Sequence, residues 1–518
     1  MNNLFIILLI LVFSQIGNIA SSQSVYFNNR YYLNEPDIWS GALNAIEVDS
    51  GYIVTGTTGD SLNEYWLVVA IMKIDQLGNK QWIKLLRDSI SEYDNGQPGS
   101  LIKTFDCNYA FSGTSRNYEN SMIDRATLWK LDTNWNLIWN KEYGNIDNIA
   151  DTMNYGRQVK QTVDSGYIIG GEQYYSSSRA ISKMLIIRTD KYGNKEWEST
   201  FSYSGNVINR GYSVIQTTDS GFAIGGFKYT PGHPETGDPI VIKTDSIGNQ
   251  QWLKNIGGPY LDNKAMLCLG KDGSIIAATT YADSMFGNDN AYRRIHIVKI
   301  DNLGNIVWDK KYGKSTIYNY LNNIRSISNG DLIITGSVIT DFPHNSGWIM
   351  KVTNNGDSLW YRLYDNLYGD KSENNLYDVI PTIDNGFLSC GYVFPMQPDT
   401  GTQDAWVIKL DSIGCDTPGC DTTVSIPEIA YKNTEDELYI YPNPASNVLN
   451  MQYPIMNYEC RSILEIFDIF GRKVKEIKIP KGQQQLNVNV SKWRNGLYIA
   501  VLKDDKKFIA KRKFVVLR

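Results

Sequence analysis

Several carboxylates lie in long polar segments of this sequence, where they could act as acids, bases or nucleophiles. Two carboxylates that converge across a cleft can cleave a glycosidic bond, one as an acid and the other as a base or nucleophile. Whether any two of them meet depends on the fold, so a propeller-type glycoside hydrolase or polysaccharide lyase stands as an alternative function. The acidic residues concerned are Asp94, Glu119, Glu172, Asp262, Asp341 and Asp370.

Histidine chemistry has little support in this chain. His233, His296 and His344 lie far apart in the sequence, and His296 occupies a position typical of a strand. The sequence contains no HExxH, CxxC or GxSxG motif, and no glycine-rich loop joins a strand to a helix. We therefore predict no catalytic residue, no metal site and no cofactor.

Aspartates that return at regular intervals raise the question of calcium, because carboxylates and turn carbonyls suit that ion. Each precedes a Gly-Asn or a related pair, as in DSIGN from Asp245. Asp, Gly and Asn favour tight turns, so the pattern is better explained by turn chemistry. These residues are Asp75, Asp132, Asp190, Asp245, Asp301 and Asp411.

The turns belong to a repeat of about 55 residues that ends in a tryptophan. Upstream of each turn lies a second signature, such as DSGYIVTGTT from Asp49, which is typical of a turn followed by a strand. Four antiparallel strands per repeat predict the blade of a β-propeller. The repeated tryptophans, predicted to pack between blades, are Trp82, Trp139, Trp197, Trp252, Trp308 and Trp360.

The fold class predicted is all-β, with a seven-bladed β-propeller of four-stranded antiparallel blades over residues 23–415. Seven repeats carry the first three strands, but the last lacks its fourth. Residues 25–32, in SVYFNNRYYL, resemble a fourth strand without a repeat of its own. We predict that this N-terminal strand closes the last blade and leaves no free edge there.

Long and variable segments connect the second strand to the third and one blade to the next, whereas the other connections are short. Loops on a rigid scaffold collect binding groups, so we place a binding site on the long-loop face. Aromatic side chains among Asp, Asn and Ser can stack on sugar rings or pack against a protein partner, although tyrosines that merely cover blade edges are an alternative. The candidate ligand-binding residues are Tyr65, Tyr118, Tyr175, Tyr229, Tyr281, Tyr292 and Trp348.

Residues 1–22 are typical of an export signal, with an apolar core over 4–13 and small residues after it. No other stretch has the length of a membrane helix. Cys107, Cys268 and Cys390 lie in or beside apolar strands and are expected to be buried thiols. Cys415 and Cys420 flank a turn and can form a local disulfide in an oxidising compartment.

A polar linker over residues 416–436 leads to a small β-sandwich domain over residues 437–518. Its blocks YPNPASNVLNMQY, IFDIFGRKV and NGLYIAVL, with the terminal KRKFVVLR, are similar to the C-terminal sorting domain of Bacteroidetes proteins exported by the type IX secretion system, type A subgroup. The resemblance implies export to the outer-membrane surface or the medium, with the secretion machinery as partner. The sorting-motif residues are Tyr441, Pro442, Asn443, Pro444, Gly471, Arg472, Gly496 and Tyr498.

Charge divides at the same boundary. From Asp436 onward 15 basic and 8 acidic residues give about +7, which leaves about −12 for the rest of a chain whose net charge is −5. An acidic propeller disfavours nucleic acid as a partner. We predict an exported binding or adhesion module for a glycan or a protein, with the enzyme or a purely structural surface protein as alternatives.

Overall fold

The computed structural model describes residues 25–36, 38–62, 66–87, 90–118, 123–144, 152–175, 178–202, 208–229, 237–286, 290–314, 317–341, 344–367, 372–395, 401–418, 420, 438–452, 462–469, 471–479, 485–504 and 507–517. The predicted signal segment 1–22 and most of the linker 416–436 lie outside these residues. The chain divides into two compact units, Met1–Ile429 and Ala430–Arg518. Each unit is described by itself.

The larger unit consists of blades in which four consecutive strands pair antiparallel with their neighbours. The first three blades are β2 (Ser40–Val48), β3 (Gly51–Gly59), β4 (Leu67–Ile74) and β5 (Lys80–Leu86); β6 (Ser91–Asn95) with β7 (Ile102–Lys103), β8 (Tyr109–Asn117), β9 (Asp124–Leu131) and β10 (Leu137–Tyr143); and β11 (Thr152–Gln161), β12 (Tyr167–Tyr175), β13 (Ser178–Thr189) and β14 (Lys195–Phe201).

The remaining blades follow the same order, and through the described residues the pairing traces seven of them. They are β15 (Ile208–Gln216), β16 (Phe222–Tyr229), β17 (Gly237–Thr244) and β18 (Gln250–Asn255); β19 (Met266–Leu269), β20 (Ile275–Phe286), β21 (Asn290–Ile300) and β22 (Ile306–Tyr312); β23 (Tyr318–Ser326), β24 (Leu332–Asp341), β25 (His344–Val352) and β26 (Ser358–Tyr364); and β27 (Ser372–Pro381), β28 (Phe387–Pro395) and β29 (Asp404–Leu410) with β1 (Phe27–Tyr31).

Strand β1 supplies the outer strand of the last blade. It pairs antiparallel with β29, from Phe27 opposite Lys409 to Tyr31 opposite Ala405. The hydroxyl of Tyr31 donates to the carbonyl of Gly78 in the first blade at 2.6 Å. The N-terminal strand thus joins both ends of the blade series.

The short turns have the chemistry predicted for them. The Asp75 Oδ1 atom accepts hydrogen bonds from the backbone N–H groups of Leu77 at 2.9 Å and Asn79 at 2.8 Å. Gly78 has a φ of 83°, which favours glycine. The turn interpretation is therefore confirmed. The same bonds recur at Asp132, Asp190, Asp245, Asp301 and Asp411.

Apolar cores lie between neighbouring blades. Ile53 and Ile71 of the first blade share one cluster with Phe111 and Trp129 of the second. The repeated tryptophans lie at these contacts: the rings of Trp197 and Phe222, in the third and fourth blades, are 5.7 Å apart. The predicted packing between blades is confirmed.

The smaller unit contains two sheets around one core. The first sheet is β30 (Tyr439–Tyr441), β31 (Val448–Gln452) and β34 (Gln485–Asn489); the second is β33 (Lys473–Lys478), β32 (Ser462–Asp468), β35 (Gly496–Asp504) and β36 (Lys507–Val516). Leu449 and Met451 of the first sheet cluster with Leu464 and Phe514 of the second. The predicted all-β class, a propeller followed by a small β domain, is confirmed.

The sorting-motif residues have structural roles in this unit. The Asn443 side chain, between cis peptide bonds at Pro442 and Pro444, accepts a hydrogen bond from the N–H of Val515 at 2.8 Å. Arg472 follows Gly471 at the corner between β32 and β33 and bonds to Asp468. The ring of Tyr498 lies 5.6 Å from that of Phe514. Gly496 begins β35, and Tyr441 ends β30.

Candidate functional site

The first strand of most blades carries a one-residue bulge at the same place. In β11 the register shifts between Gly156 and Gln158, so Arg157 is the unpaired residue. A bulged residue leaves the ladder and points its side chain in a new direction. Because the first strands of successive blades contact one another around the axis, these residues surround a central channel. The bulged residues are Leu43, Arg157, Tyr212, Asn322 and Tyr377.

A glycine on the second strand permits this bulge. A Cβ atom on Gly171 would meet the carbonyl oxygen of Tyr155 at 1.9 Å, which no side chain tolerates. This close approach explains the third glycine of the repeated DSGYIIGGEQ signature. The equivalent glycines are Gly56, Gly226, Gly336 and Gly391.

Polar side chains that follow the bulge join neighbouring blades. The Oε1 atom of Gln158 accepts hydrogen bonds from Ser213 Oγ at 2.8 Å and Val214 N at 3.1 Å, and its Nε2 donates to Pro98 O at 2.9 Å. Gln158 therefore links three blades. It is almost fully buried.

Asp378 has the same function where the last blade meets the first. Its Oδ2 accepts from the N–H of Ala45 at 3.2 Å, and its Oδ1 accepts from Asn323 Nδ2 at 2.7 Å. The guanidinium of Arg325 binds both carboxylate oxygens, at 3.0 and 2.8 Å. This fully buried carboxylate is thus completely paired.

The segment 96–101 between β6 and β7 enters the channel, and we call it the plug. The Nζ atom of Lys264 in the fifth blade donates to Gln97 Oε1 at 2.8 Å, which places the plug across the axis. From the other side, Lys160 Nζ donates to Gly99 O at 2.9 Å. First strands run from the long-loop face to the short turns, so Lys160 lies nearer the short turns than Arg157. The plug therefore separates an outer chamber from an inner one.

The outer chamber, on the long-loop face, contains a cationic cluster that we call the mouth cluster: Arg157, Glu172, Arg210, Tyr212 and Lys264. Glu172 is fully buried; it accepts from Arg157 Nε at 3.2 Å, and its Oε2 lies 3.6 Å from Arg210 Nε. The Tyr212 ring has Lys264 Nζ 5.0 Å and Arg157 Cζ 6.0 Å from its centroid. Two arginines thus share the carboxylate of Glu172, and Lys264 adds a third positive charge beside them.

Protonation in the mouth cluster follows from burial. Burial and the charge of Arg157 lower the pKa of Lys264 to about 8, because both disfavour a second cation. Burial and the charge of Glu172 raise the pKa of Tyr212, although the two arginines act in the opposite direction. At neutral pH Lys264 is therefore mostly charged, and the phenol of Tyr212 is neutral.

Two further tyrosines border the cluster. The rings of Tyr155 and Tyr174 meet edge to face at 5.4 Å, and the guanidinium of Arg210 lies 5.7 Å from the Tyr174 ring. The hydroxyl of Tyr155 donates to Asp124. The chamber thus offers aromatic surface beside its charges.

The predicted ligand-binding tyrosines do not form one site. Tyr118 stacks on Trp66 at 4.7 Å, and Tyr281 lies beneath Lys311 at 4.1 Å. Tyr175, Tyr229 and Tyr292 are partly exposed in the third, fourth and fifth blades, and Tyr65 lies outside the described residues.

The structure corrects the expectation for Trp348. Its indole is fully buried, and its Nε1 donates to the carbonyl of Ser337 at 3.0 Å. It packs with Leu321 and Met350 in a core. A ring with no exposed surface cannot stack on a sugar from solvent.

The loop assignment of the carboxylates is corrected as well. Asp94 belongs to β6 and Glu172 to β12, so both are strand residues. Asp262 accepts backbone N–H bonds from Gly258 and Ala282, and burial raises its pKa to about 7. Glu119, Asp370 and the side chain of Asp341 lie outside the described residues.

The cysteines divide between two states. Cys415 and Cys420 are disulfide-bonded, and Cys268 and Cys390 are buried thiols. Cys107 is exposed, contrary to expectation, because it lies in a turn with a φ of 63° and not within the strand.

Within the described ranges, no three His, Cys, Asp or Glu side chains are grouped as a metal site. His296 Nε2 lies 2.9 Å from Asp309 Oδ1 within the fifth blade, and His233 lies outside the described residues. No helix long and apolar enough to cross a membrane is found in the described part of the chain.

Comparison with known proteins identifies the C-terminal part of the chain. Residues 439–517 match the family model "Secretion system C-terminal sorting domain", so the chain carries a type IX sorting domain. This domain directs export to the cell surface or the extracellular space. No curated protein matches the chain.

Solved structures resemble the chain only distantly. A protein of unknown function from Dyadobacter fermentans is 9% identical, with a TM-score of 0.40, over 76% of this chain and 100% of its own. A PL25 ulvan lyase is 8% identical, with a TM-score of 0.46, over 74% and 96%. A puromycin hydrolase is 10% identical, with a TM-score of 0.45, over 81% and 59%. With TM-scores below 0.5, these likenesses do not define the function of this chain.

Proposed function

We propose that this type IX cargo protein is a recognition module that binds an anionic glycan at the mouth cluster without covalent chemistry. The observation that carries the proposal is Lys264, a half-buried cation that forms no ion pair with any carboxylate of the described residues. A cation removed from water is stabilised by a nearby anion. An acidic group of a ligand would supply that anion.

The remaining charges agree with this role. Arg157 and Arg210 share the carboxylate of Glu172, whose Oε2 has no hydrogen-bond partner within the described residues, and the partly buried Asp94 also acts on Arg157. Guanidinium groups bind carboxylates and sulfates through paired hydrogen bonds. A positive cluster in a propeller of about −12 net charge is a local feature that selects for anions.

The aromatic surface favours a sugar as the body of the ligand. Tyr155 and Tyr212, which are partly exposed, present ring faces beside the cations, with the buried Tyr174 packed behind Tyr155. Rings of this kind stack on the apolar faces of sugars, while hydroxyl and guanidinium groups bond to sugar oxygens. A uronate or a sulfated sugar combines both features.

Recognition fits these groups better than cleavage. A glycosidase needs two carboxylates free to act as acid and base, but Glu172 is held by arginines and Asp262 by two backbone N–H groups. Asp94, whose pKa is raised by burial, accepts a hydrogen bond from Thr57 Oγ1 at 3.0 Å and feels the charge of Arg157. A tyrosinate base would need a lowered pKa, and the pKa of Tyr212 is raised. The chamber therefore supports binding.

The test is titration calorimetry of the purified full-length protein with polygalacturonate, dextran sulfate and neutral dextran. We expect binding of at least one polyanion, no binding of dextran, and no release of shorter chains on incubation. Lys264→Met should weaken the binding about tenfold, because one charge-assisted contact is lost. The matched control is Lys80→Met, an exposed lysine of β5.

Three outcomes would contradict the proposal. Equal binding of dextran would remove the role of charge, and shortened polymer would indicate an enzyme. Failure of both polyanions to bind would favour a protein partner or a purely structural surface protein.

A further inference from the structure

A second chamber lies in the channel beyond the plug, toward the short turns. It is a cavity of about 520 Å³. Ile215, Leu267 and Ile324 form apolar walls, and Lys160, Gln216 and Arg325 add polar groups. Apolar walls with a few polar groups are typical of sites for small molecules.

Lys160 brings an uncompensated charge to this chamber. Its Nζ donates to the carbonyl of Gly99 at 2.9 Å and forms no ion pair with a carboxylate in the described part of the chain. A carbonyl oxygen stabilises a buried ammonium less than an ionised carboxylate does.

The neighbouring groups leave this charge in excess. Arg325 and Asp378 neutralise each other through two hydrogen bonds, at 3.0 and 2.8 Å. Burial raises the pKa of the Cys268 thiol to about 12, so it is neutral. The groups that face Lys160 therefore sum to zero, and Lys160 in its ammonium form leaves one positive charge in the chamber.

Gln216 adds a neutral donor beside the lysine. Its Oε1 accepts from the N–H of Val163 at 2.9 Å, which fixes the orientation of the amide. Its Nε2 has no hydrogen-bond partner among the described residues and is free to donate into the chamber.

We propose that the inner chamber binds a small organic monoanion, a carboxylate with a short apolar body, through Lys160 and Gln216. The apolar walls hold the body and the two nitrogen atoms hold the carboxylate. This site is separate from the mouth cluster, and it does not depend on the function proposed for that cluster.

Binding at this site depends on pH. Burial and the charge of Arg325 lower the pKa of Lys160 to about 7, with Asp378 acting in the opposite direction and Cys268 nearby. A carboxylate binds the ammonium form, so affinity falls as the pH rises above 7. A bound carboxylate raises the pKa of Lys160, so protons are taken up on binding.

The test uses butyrate and its neutral analogue butyramide with the full-length protein in titration calorimetry at several pH values. We expect butyrate to bind and butyramide to bind at least about tenfold more weakly. Lys160→Met should reduce butyrate affinity about tenfold or more, whereas Lys160→Arg should retain it. Circular dichroism melting curves establish that each variant folds.

The matched control is Lys264→Met, which removes the lysine on the other side of the plug and should leave butyrate binding unchanged. The proposal is overturned if butyrate does not bind, if butyramide binds as tightly, or if Lys160→Met binds as the wild type does. Loss of butyrate binding in Lys264→Met would also overturn it, because the chambers would then form one site.

Discussion

The two chambers of the channel differ in chemistry although the same repeat builds both. In the outer chamber two arginines share Glu172 among tyrosines, whereas in the inner chamber Arg325 is the one described cation that is ion-paired with Asp378, among aliphatic side chains. Both chambers contain a lysine bonded to the plug. The repeat thus fixes the backbone, while the bulged residue and its neighbours determine the charge and the apolar surface of each chamber.

The strongest test of this contrast is Asp378→Ala. It leaves Arg325 and Asn323 without their acceptor and removes the link to the first blade, so we expect a loss of about 3–5 kcal/mol in the free energy of unfolding. Urea unfolding measures it. The control Asp357→Ala breaks an exposed ion pair with Lys310 and should lose at most about 1 kcal/mol. Equal losses of unfolding free energy in the two variants would mean that the Asp378 link between blades contributes no more to stability than an exposed ion pair.

Gln158→Ala tests the hydrogen bonds that join three blades between the two chambers. The change leaves Ser213 and Val214 without an acceptor in a buried site, and we expect a loss of about 2 kcal/mol in the free energy of unfolding. The exposed Gln81→Ala should change stability by less than about 0.5 kcal/mol. A loss as small as that of the control would contradict the role of this glutamine.

Glu172→Gln sharpens the distinction between the chambers. Without the carboxylate charge both arginines are uncompensated, so affinity for the polyanion that binds at the mouth should rise about fivefold while butyrate binding stays unchanged. Calorimetry with both ligands gives the answer. Glu198→Gln, in an exposed pair with Lys195, serves as control. A fall in polyanion affinity would argue against a cationic recognition site.

Lys160 also makes the stability of the protein depend on pH. Its pKa falls from 10.5 in the unfolded chain to about 7 in the folded protein. Between these values the unfolded chain binds more protons, so the stability of the wild type relative to Lys160→Met should rise with pH. Unfolding curves at about pH 6.5 and 9.5 measure the difference. A constant difference would place Lys160 in a solvated environment.

Much of the fold was predictable because turn chemistry and strand patterns repeat. Asp75 and its equivalents have backbone requirements that follow from residue type, and one period identifies them all. Trp348 occupies the same position of the repeat as Trp406, and both are buried strand residues. The prediction that Trp348 binds a ligand did not take this shared strand position into account.

The site itself was not predictable, since it rests on what differs between repeats. Arg157, Tyr212 and Lys264 are far apart in sequence and meet only when bulges and the plug bring them to the axis. One signal was present: a bulky residue between glycine and a polar residue, as in GRQ and GYS. The triplet indicates a site only if the first strand of each blade is known to line the channel.

The pairing of β1 with β29 also constrains when the protein can fold. Phe27 finds its partner at Lys409, so the ring cannot close until nearly the whole propeller sequence is available. Contacts of such sequence separation slow folding, because a long loop must close before they form. A nascent or partly translocated chain therefore remains open.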